Sequence, residues 1–401
     1  MPEKVAVIAF RFPPYAGVGG HRWSKLSTYL SRLGHEVHVV TVDWAQVGKS
    51  SPVDQAERSG SSIHHVRPPA LFRHRYPAEP ATPTQRLVRT AIRRGVDPVL
   101  FWDDEVQRWD GTLRDAVAEV VMRYRPTVVV ATGGPFQVIR HIGEFRRHNS
   151  QIRFIADLRD PWFQQRQASL GRRRTAKIRQ WAVEALESAD AIVCVTEGLA
   201  RLYGPIVPGR RIEVIPNGVD LEDLPAYSDE CRWDLVHAGS VTNKRSVPAR
   251  LLLEALVRIA PLTRVLFVGP GSASLGRYRD RLPNLELRSA ITRTAALAEV
   301  AASRYGLHLN APHVPYLVST KIYEYPAIGV PVLSINYGGD SDQLVQNEGW
   351  GRSIDVQRDN LDAALCEALS LPRGRVEGND RFSHAHLAIA YSALISQTSA
   401  R

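Results

Sequence analysis

Ser319-Thr320-Lys321-Ile322-Tyr323-Glu324-Tyr325-Pro326-Ala327-Ile328-Gly329-Val330-Pro331-Val332 reads as a helix, its stop and the entry to a buried strand. Ser319 has the hydroxyl of an N-cap, and Lys321 and Glu324, three residues apart, share one side of the first turn. The first N–H groups of such a helix lack intrahelical acceptors and lie at the positive end of its dipole, which makes an anion site. Lys321 adds a mobile positive charge for a phosphate, and Glu324 offers two acceptors that suit a ribose diol. Gly329 stops the helix, and Pro331 to Ile335 is an apolar run of strand length. A capped surface helix with an exposed ion pair has the same pattern, so the rest of the chain must decide.

Working outward, the chain opens on Val5–Phe10, an apolar run without alternation, as in a parallel strand covered on both faces. A Pro13-Pro14 loop with Gly17, Gly19 and Gly20 leads to a helical pattern from His21 to Leu33, and Val37–Val42 follows as a second strand. This strand–loop–helix–strand unit predicts a doubly wound α/β sheet. Asp43 closes the second strand, yet the glycine spacing and the long Pro-Pro loop rule out a dinucleotide fingerprint. Gln46 to Pro83 is polar and poorly periodic, and reads as excursions between core elements. Arg86–Arg94 is a short basic amphipathic helix of a kind that can lie on an anionic membrane, although solvated basic faces share the pattern. Phe154-Ile155-Ala156 is a strand running into Asp157-Leu158-Arg159-Asp160-Pro161-Trp162, so two carboxylates bracket an arginine at the carboxyl edge of a parallel sheet, where open α/β folds bind ligands. An internally satisfied ion-pair turn over a packed Trp162 is the competing reading. A second alternating half runs from Trp233, and a helical pattern near Ala385–Ser396 closes the chain.

The totals narrow the class. A chain of 401 residues suits two domains, and 51 Lys and Arg against 41 Asp and Glu leave a formal charge of +10. That surplus fits nucleic acid, an anionic membrane face or an anionic small substrate; without a nucleic-acid motif, nucleic acid ranks last. Three cysteines, Cys194, Cys231 and Cys366, lack metal or redox spacing and favour a reducing cytoplasm. The first strand leaves no room for a signal peptide, and no apolar run has the length of a membrane span.

Taken together these stretches resemble the GT-B glycosyltransferases, in particular the bacterial family 4 type. The matching segments are the Lys321-x-Tyr323-Glu324-Tyr325 turn before Gly329-x-Pro331-Val332, the Pro13-Pro14 glycine loop, Gly34-His35-Glu36-Val37, Asp157-x-Arg159-Asp160-Pro161-Trp162 and Ile215-Pro216-Asn217-Gly218-Val219-Asp220. The resemblance implies two Rossmann-like doubly wound parallel-sheet domains facing a central cleft. Residues 1–218 would form the acceptor-side domain, 219–228 a linker, 229–380 the nucleotide-sugar domain, and 381–401 a helix packing back toward the first domain. It implies retaining transfer of a sugar from a nucleoside diphosphate sugar to an acceptor hydroxyl or amine, with no metal or other cofactor. UDP-sugar is the first choice of donor, with GDP- or dTDP-sugar as alternatives. The acceptor would be a glycan, a lipid-linked species or a small molecule. A weak peripheral contact with the inner membrane face fits the basic helix.

Residue by residue, the resemblance places Lys244, Arg245, Lys321, Gly17, Gly19 and Gly20 on the donor diphosphate and Glu324 on the ribose. It places Tyr316, Leu317, Val318 and Ser319 along the donor sugar, largely through backbone amides. Arg159 and Asp160 take catalytic positions, and Asp157, Trp162 and Trp102 the acceptor side. Two positions depart from the family pattern: Ser240 stands where an arginine is expected, and Tyr316 where a first glutamate is expected, eight residues before Glu324. A sugar-nucleotide epimerase of the same fold, or a catalytically silent nucleotide-sugar-binding partner protein, are the alternative functions.

Overall fold

In the computed structural model of the chain, the described residues are 2–15, 18–44, 60–68, 82–96, 103–104, 106, 110–162, 167–242, 245–312 and 314–397. They form two compact units, one of Met1–Pro216 with His384–Arg401, the other of Asn217–Ser383.

The first unit is built on seven parallel strands: β1 (Lys4–Ile8), β2 (Glu36–Val42), β3 (Ser62–Val66), β4 (Val128–Thr132), β5 (Arg153–Leu158), β6 (Ala191–Cys194) and β7 (Ile212–Val214). Their order is β3-β2-β1-β4-β5-β6-β7. The unbroken apolar runs follow from burial on both faces. Val5 and Val7 pack on one side with Trp23, Leu26 and Leu30 of α1 (His21–Arg32), while Ala6 and Ile8 join the opposite core. The other helices of this unit are α2 (Pro83–Ala91), α3 (Asp110–Tyr124), α4 (Gln137–His148), α5 (Gln167–Glu187) and α6 (Glu197–Tyr203).

The structure corrects the reading of Gln46–Pro83 as excursions only, because β3 lies inside that stretch and pairs with β2 from His38↔Ser62 to Val42↔Val66. The strand escapes the hydropathy pattern because it is an edge with two histidines, one of which, His64, meets His38 ring to ring at 3.1 Å. The rest of the stretch, apart from residues 60–68 and 82–83, lies outside the described residues.

The second unit has six parallel strands, β8 (Trp233–Ala238), β9 (Val265–Val268), β10 (Leu285–Arg288), β11 (Ser303–Leu309), β12 (Val332–Asn336) and β13 (Gly351–Asp355), in the order β10-β9-β8-β11-β12-β13. Its helices are α7 (Ser246–Ile259), α8 (Arg293–Ala301), α9 (Lys321–Ile328), α10 (Asp340–Asn347) and α11 (Leu361–Ser370). The strand order reverses direction between β8 and β11, and open α/β sheets bind ligands in the crevice beyond the carboxyl ends at that switch.

The last helix, α12 (His384–Gln397), belongs to the first unit, where Leu387, Ala388, Tyr391, Leu394 and Ile395 complete the core on the α1 side of the sheet. No helix among the described residues is long and apolar enough to cross a membrane.

Candidate functional site

The loops after β8 and β11 bring the opening stretch to the switch point of the second sheet. Gly306 on β11 carries no Cβ because the Tyr325 ring of α9 occupies that space, 2.2 Å from where one would stand. Tyr325 is buried against the sheet, and α9 is thereby seated with its first turn over the end of β8. Gly239, the first residue after β8, has φ +155, and a Cβ there would lie 2.7 Å from Lys321 Cε and 2.8 Å from Nζ. The missing side chain leaves the place that the lysine fills.

The helix begins one residue later than the sequence suggests. Ser319 does not cap it: Thr320 stands at the N-cap, without a side-chain cap bond, and the Ser319 hydroxyl is buried with no partner. The first turn is tightened instead, Ile322 N donating to Ser319 O at 3.2 Å and Tyr323 N to Thr320 O at 3.0 Å. Among the described residues, the amides of Val318, Ser319, Thr320 and Lys321 have no acceptor. Free N–H groups before a helix, with the Lys321 ammonium beside them, are the kind of donor that an anion takes. The Leu317 amide has to be taken out of this set. It donates to Val314 O at 3.0 Å, and the Leu317 carbonyl accepts from Ser341 Oγ at 2.5 Å, so the residue is committed to holding the loop against α10.

Lys321 is only partly exposed. Burial lowers its pKa to about 8, the charge of Arg245 pushes the same way, and Glu324 opposes. Beneath it lie two buried histidines of adjacent strands. His237 on β8 donates from Nδ1 to Leu307 O at 3.0 Å, and its Nε2 has no partner. Burial first, then the Lys321 charge, hold this imidazole at about 3, and burial and the same lysine hold His308 well below its usual value. Both rings are therefore neutral at physiological pH and add no charge to the pocket. His308 shares a hydrogen bond of 2.9 Å with Ser334 Oγ, which accepts from Asn336 Nδ2 at 3.1 Å. These histidines went unmarked in the sequence because each sits singly in an apolar strand.

Glu324 lies three residues along the same turn, and its side chain is 11% exposed. Arg293, the first residue of α8, donates to Oε1 from Nε at 3.2 Å and from Nη2 at 2.8 Å. Lys244, assigned to the diphosphate from sequence, lies outside the described residues, while Arg245 stands directly before α7.

In the first unit the motif Asp157–Trp162 turns out to be held mainly by the protein itself. Asp157, expected on the acceptor side, is enclosed by side chains of its own unit. The residue is the penultimate one of β5 and is wholly buried. Its Oδ1 accepts from Tyr391 at 2.5 Å and from Arg22 at 3.5 Å, and its Oδ2 from Trp23 Nε1 at 2.7 Å and Thr132 at 2.8 Å. Burial would raise this carboxyl, but the charge of Arg22 and the hydrogen bonds of Tyr391 and Trp23 outweigh it and hold the pKa below the usual range. Trp162 is likewise packed rather than presented: it is buried, stacks on Phe136 at 5.6 Å and donates from its amide to Tyr203 at 2.8 Å.

Arg159 ties two loops together, donating from Nε to Gly133 O at 3.1 Å and from Nη1 to Gly19 O at 2.6 Å. Gly19 thus receives an arginine of its own chain through its carbonyl, and Gly20 is buried against Phe12. Asp160 remains half-buried at the rim of this turn. Gly17 and Trp102 lie outside the described residues.

Two parallel-sheet α/β units are the architecture of GT-B glycosyltransferases, and the comparisons carry the family. The model of Glycosyltransferase Family 4 matches residues 20–223, half of the chain, and the chain belongs to that family. Among solved structures it resembles a glycosyltransferase from Rickettsia africae, with a TM-score of 0.63, 11% identity and coverage of 100% of this chain and 99% of that one. Similar too is Alr3699/HepE of Anabaena, solved in complex with UDP-glucose, with a TM-score of 0.57, 12% identity and coverage of 99% and 95%. The N-terminal domain of trehalose-6-phosphate phosphatase from Candida albicans gives 0.65 at 12% identity, covering 100% and 97%. At these identities the structures speak for the fold alone. Comparison with curated protein sequences returned no match.

Proposed function

We propose that this glycosyltransferase moves a sugar from a nucleoside diphosphate sugar, with UDP-sugar as first choice, to an acceptor hydroxyl or amine with retention. The observation that carries the reading is the row of free amides from Val318 to Lys321 at the start of the helix that bears Lys321. Negative charge grows on the departing diphosphate, and fixed donors aimed at it stabilise the transition state more than the ground state. In this reading Lys321, Arg245 and Lys244 meet the diphosphate and Glu324 meets the ribose. The positive charge comes from side chains and amides, so we propose transfer without a metal; activity in EDTA tests that point.

On the acceptor side Asp160 is the remaining candidate to orient or deprotonate the acceptor, and Arg159 shapes the loops around it. Three free cysteines fit a cytoplasmic protein. On α2, Leu87 is 71% exposed beside the exposed Arg86, which fits weak peripheral contact with an anionic membrane.

The test is calorimetric titration with UDP, GDP and dTDP, followed by release of nucleoside diphosphate from the corresponding sugars with and without candidate acceptors. UDP binding that is lost in Lys321→Met is the expected result. Asp160→Asn should keep that affinity and lower transfer by roughly two to four decades, the range of a lost acid/base group. Absence of binding for all three nucleotides would overturn the reading.

A further inference from the structure

We infer that Arg293 is a positioning residue for Glu324 and sets how strongly the site prefers a ribose over a deoxygenated sugar. This rests on the reading of Glu324 as the ribose carboxylate.

Both donors of Arg293 fall on one oxygen, Oε1. Among the described residues Oε2 has no partner, and it is not fully buried. The carboxylate is therefore fixed on one side and open on the other, an arrangement suited to accept a hydroxyl proton. A carboxylate held in one rotamer before binding avoids the ordering cost that a free side chain would incur.

The place of the arginine supports the same conclusion. As the first residue of α8 it sits behind Thr292, whose hydroxyl accepts from Ala295 N at 3.3 Å. A cation at the positive end of a helix dipole is unfavourable, and the first turn of α8 has no acidic residue to offset it. The pair is part-buried, with the arginine 30% and the carboxylate 11% exposed, so the arginine also neutralises a largely buried charge. The helix does not account for an arginine here, whereas Glu324 does.

The experiment measures affinity for UDP and GDP and for their 2′,3′-dideoxy counterparts in four proteins: wild type, Arg293→Met, Arg293→Lys and Glu324→Gln. In wild type the natural nucleotides bind more tightly than the dideoxy ones. Arg293→Met should weaken only the natural nucleotides, by about 3–10-fold, and shrink that preference, with part of it restored in Arg293→Lys. Glu324→Gln should shrink it at least as far. If Arg293→Met weakens natural and dideoxy nucleotides alike, or changes neither while Glu324→Gln removes the preference, the inference about Arg293 falls and the ribose reading stands. If Glu324→Gln leaves the preference intact, or neither pair binds, both fall.

Discussion

Lys321 places a cation where the protein alone gives it little company. With an ordinary lysine pKa of 10.5 lowered to about 8 in the fold, the unfolded chain binds more protons than the folded one between these values. Stability therefore rises as pH climbs through that window, and at neutral pH the charged lysine works against folding. Lys321→Met should raise stability at pH 7 by about 1–3 kcal/mol, read from denaturant midpoints, and flatten the rise between pH 8 and 10. Nucleotide binding should run the other way. A diphosphate raises the lysine pKa, so its contribution is complete below about pH 8 and fades as pH rises through the bound value. A mutant that is less stable, or wild-type affinity that is level from pH 7 to 10, would remove the lysine from the site. The spacing of Lys321 and Glu324 put them on one turn, and the structure has them there. What could not be read was which amides are free, because Leu317 is tied down by Val314 and Ser341 through contacts that no local pattern encodes.

At the scale of elements, the Asp157 cluster joins parts of the first unit. Arg22 and Trp23 come from α1, Thr132 from β4, Asp157 from β5 and Tyr391 from α12, so one buried carboxylate binds four elements of the first unit. Arg22 also donates to Ile215 O at 2.7 Å, securing the end of the unit where the chain leaves it. Tyr391→Phe keeps the ring against Trp23 and removes the hydroxyl, which should cost about 1–3 kcal/mol because a charged buried acceptor loses a partner. Asp157→Asn should cost more, about 3–5 kcal/mol, since it leaves the Arg22 charge buried and unpaired. Chemical denaturation measures both, and values near zero would return Asp157 to the list of ligand-facing groups. Buried strands and glycine turns made most elements legible, since a strand covered on both faces leaves an unbroken apolar run. The position of Asp157 inside a strand was hidden, because its partners lie 25 to 234 residues away in sequence.

The whole molecule threads its chain so that the second unit is an insertion in the first. The chain leaves at Pro216, builds residues 217–383 and returns at His384 to supply α12. The first unit cannot complete its core until the last helix arrives, whereas the second holds its own sheet, core and proposed anion site in one continuous segment. The two should therefore melt as separable transitions, and a ligand of the second should move one of them. At a UDP concentration of about 100 times Kd the stabilisation is about 2.7 kcal/mol. For a unit of this size that is a rise of about 5–10 °C. Tyr391→Phe labels the other transition, because it weakens only the unit that contains α12. Scanning calorimetry of wild type and Tyr391→Phe, each with and without UDP, should show two shifts on two different transitions. If UDP raises the transition that the tyrosine variant lowers, the nucleotide binds the first unit, and the anion site at the start of α9 has another purpose.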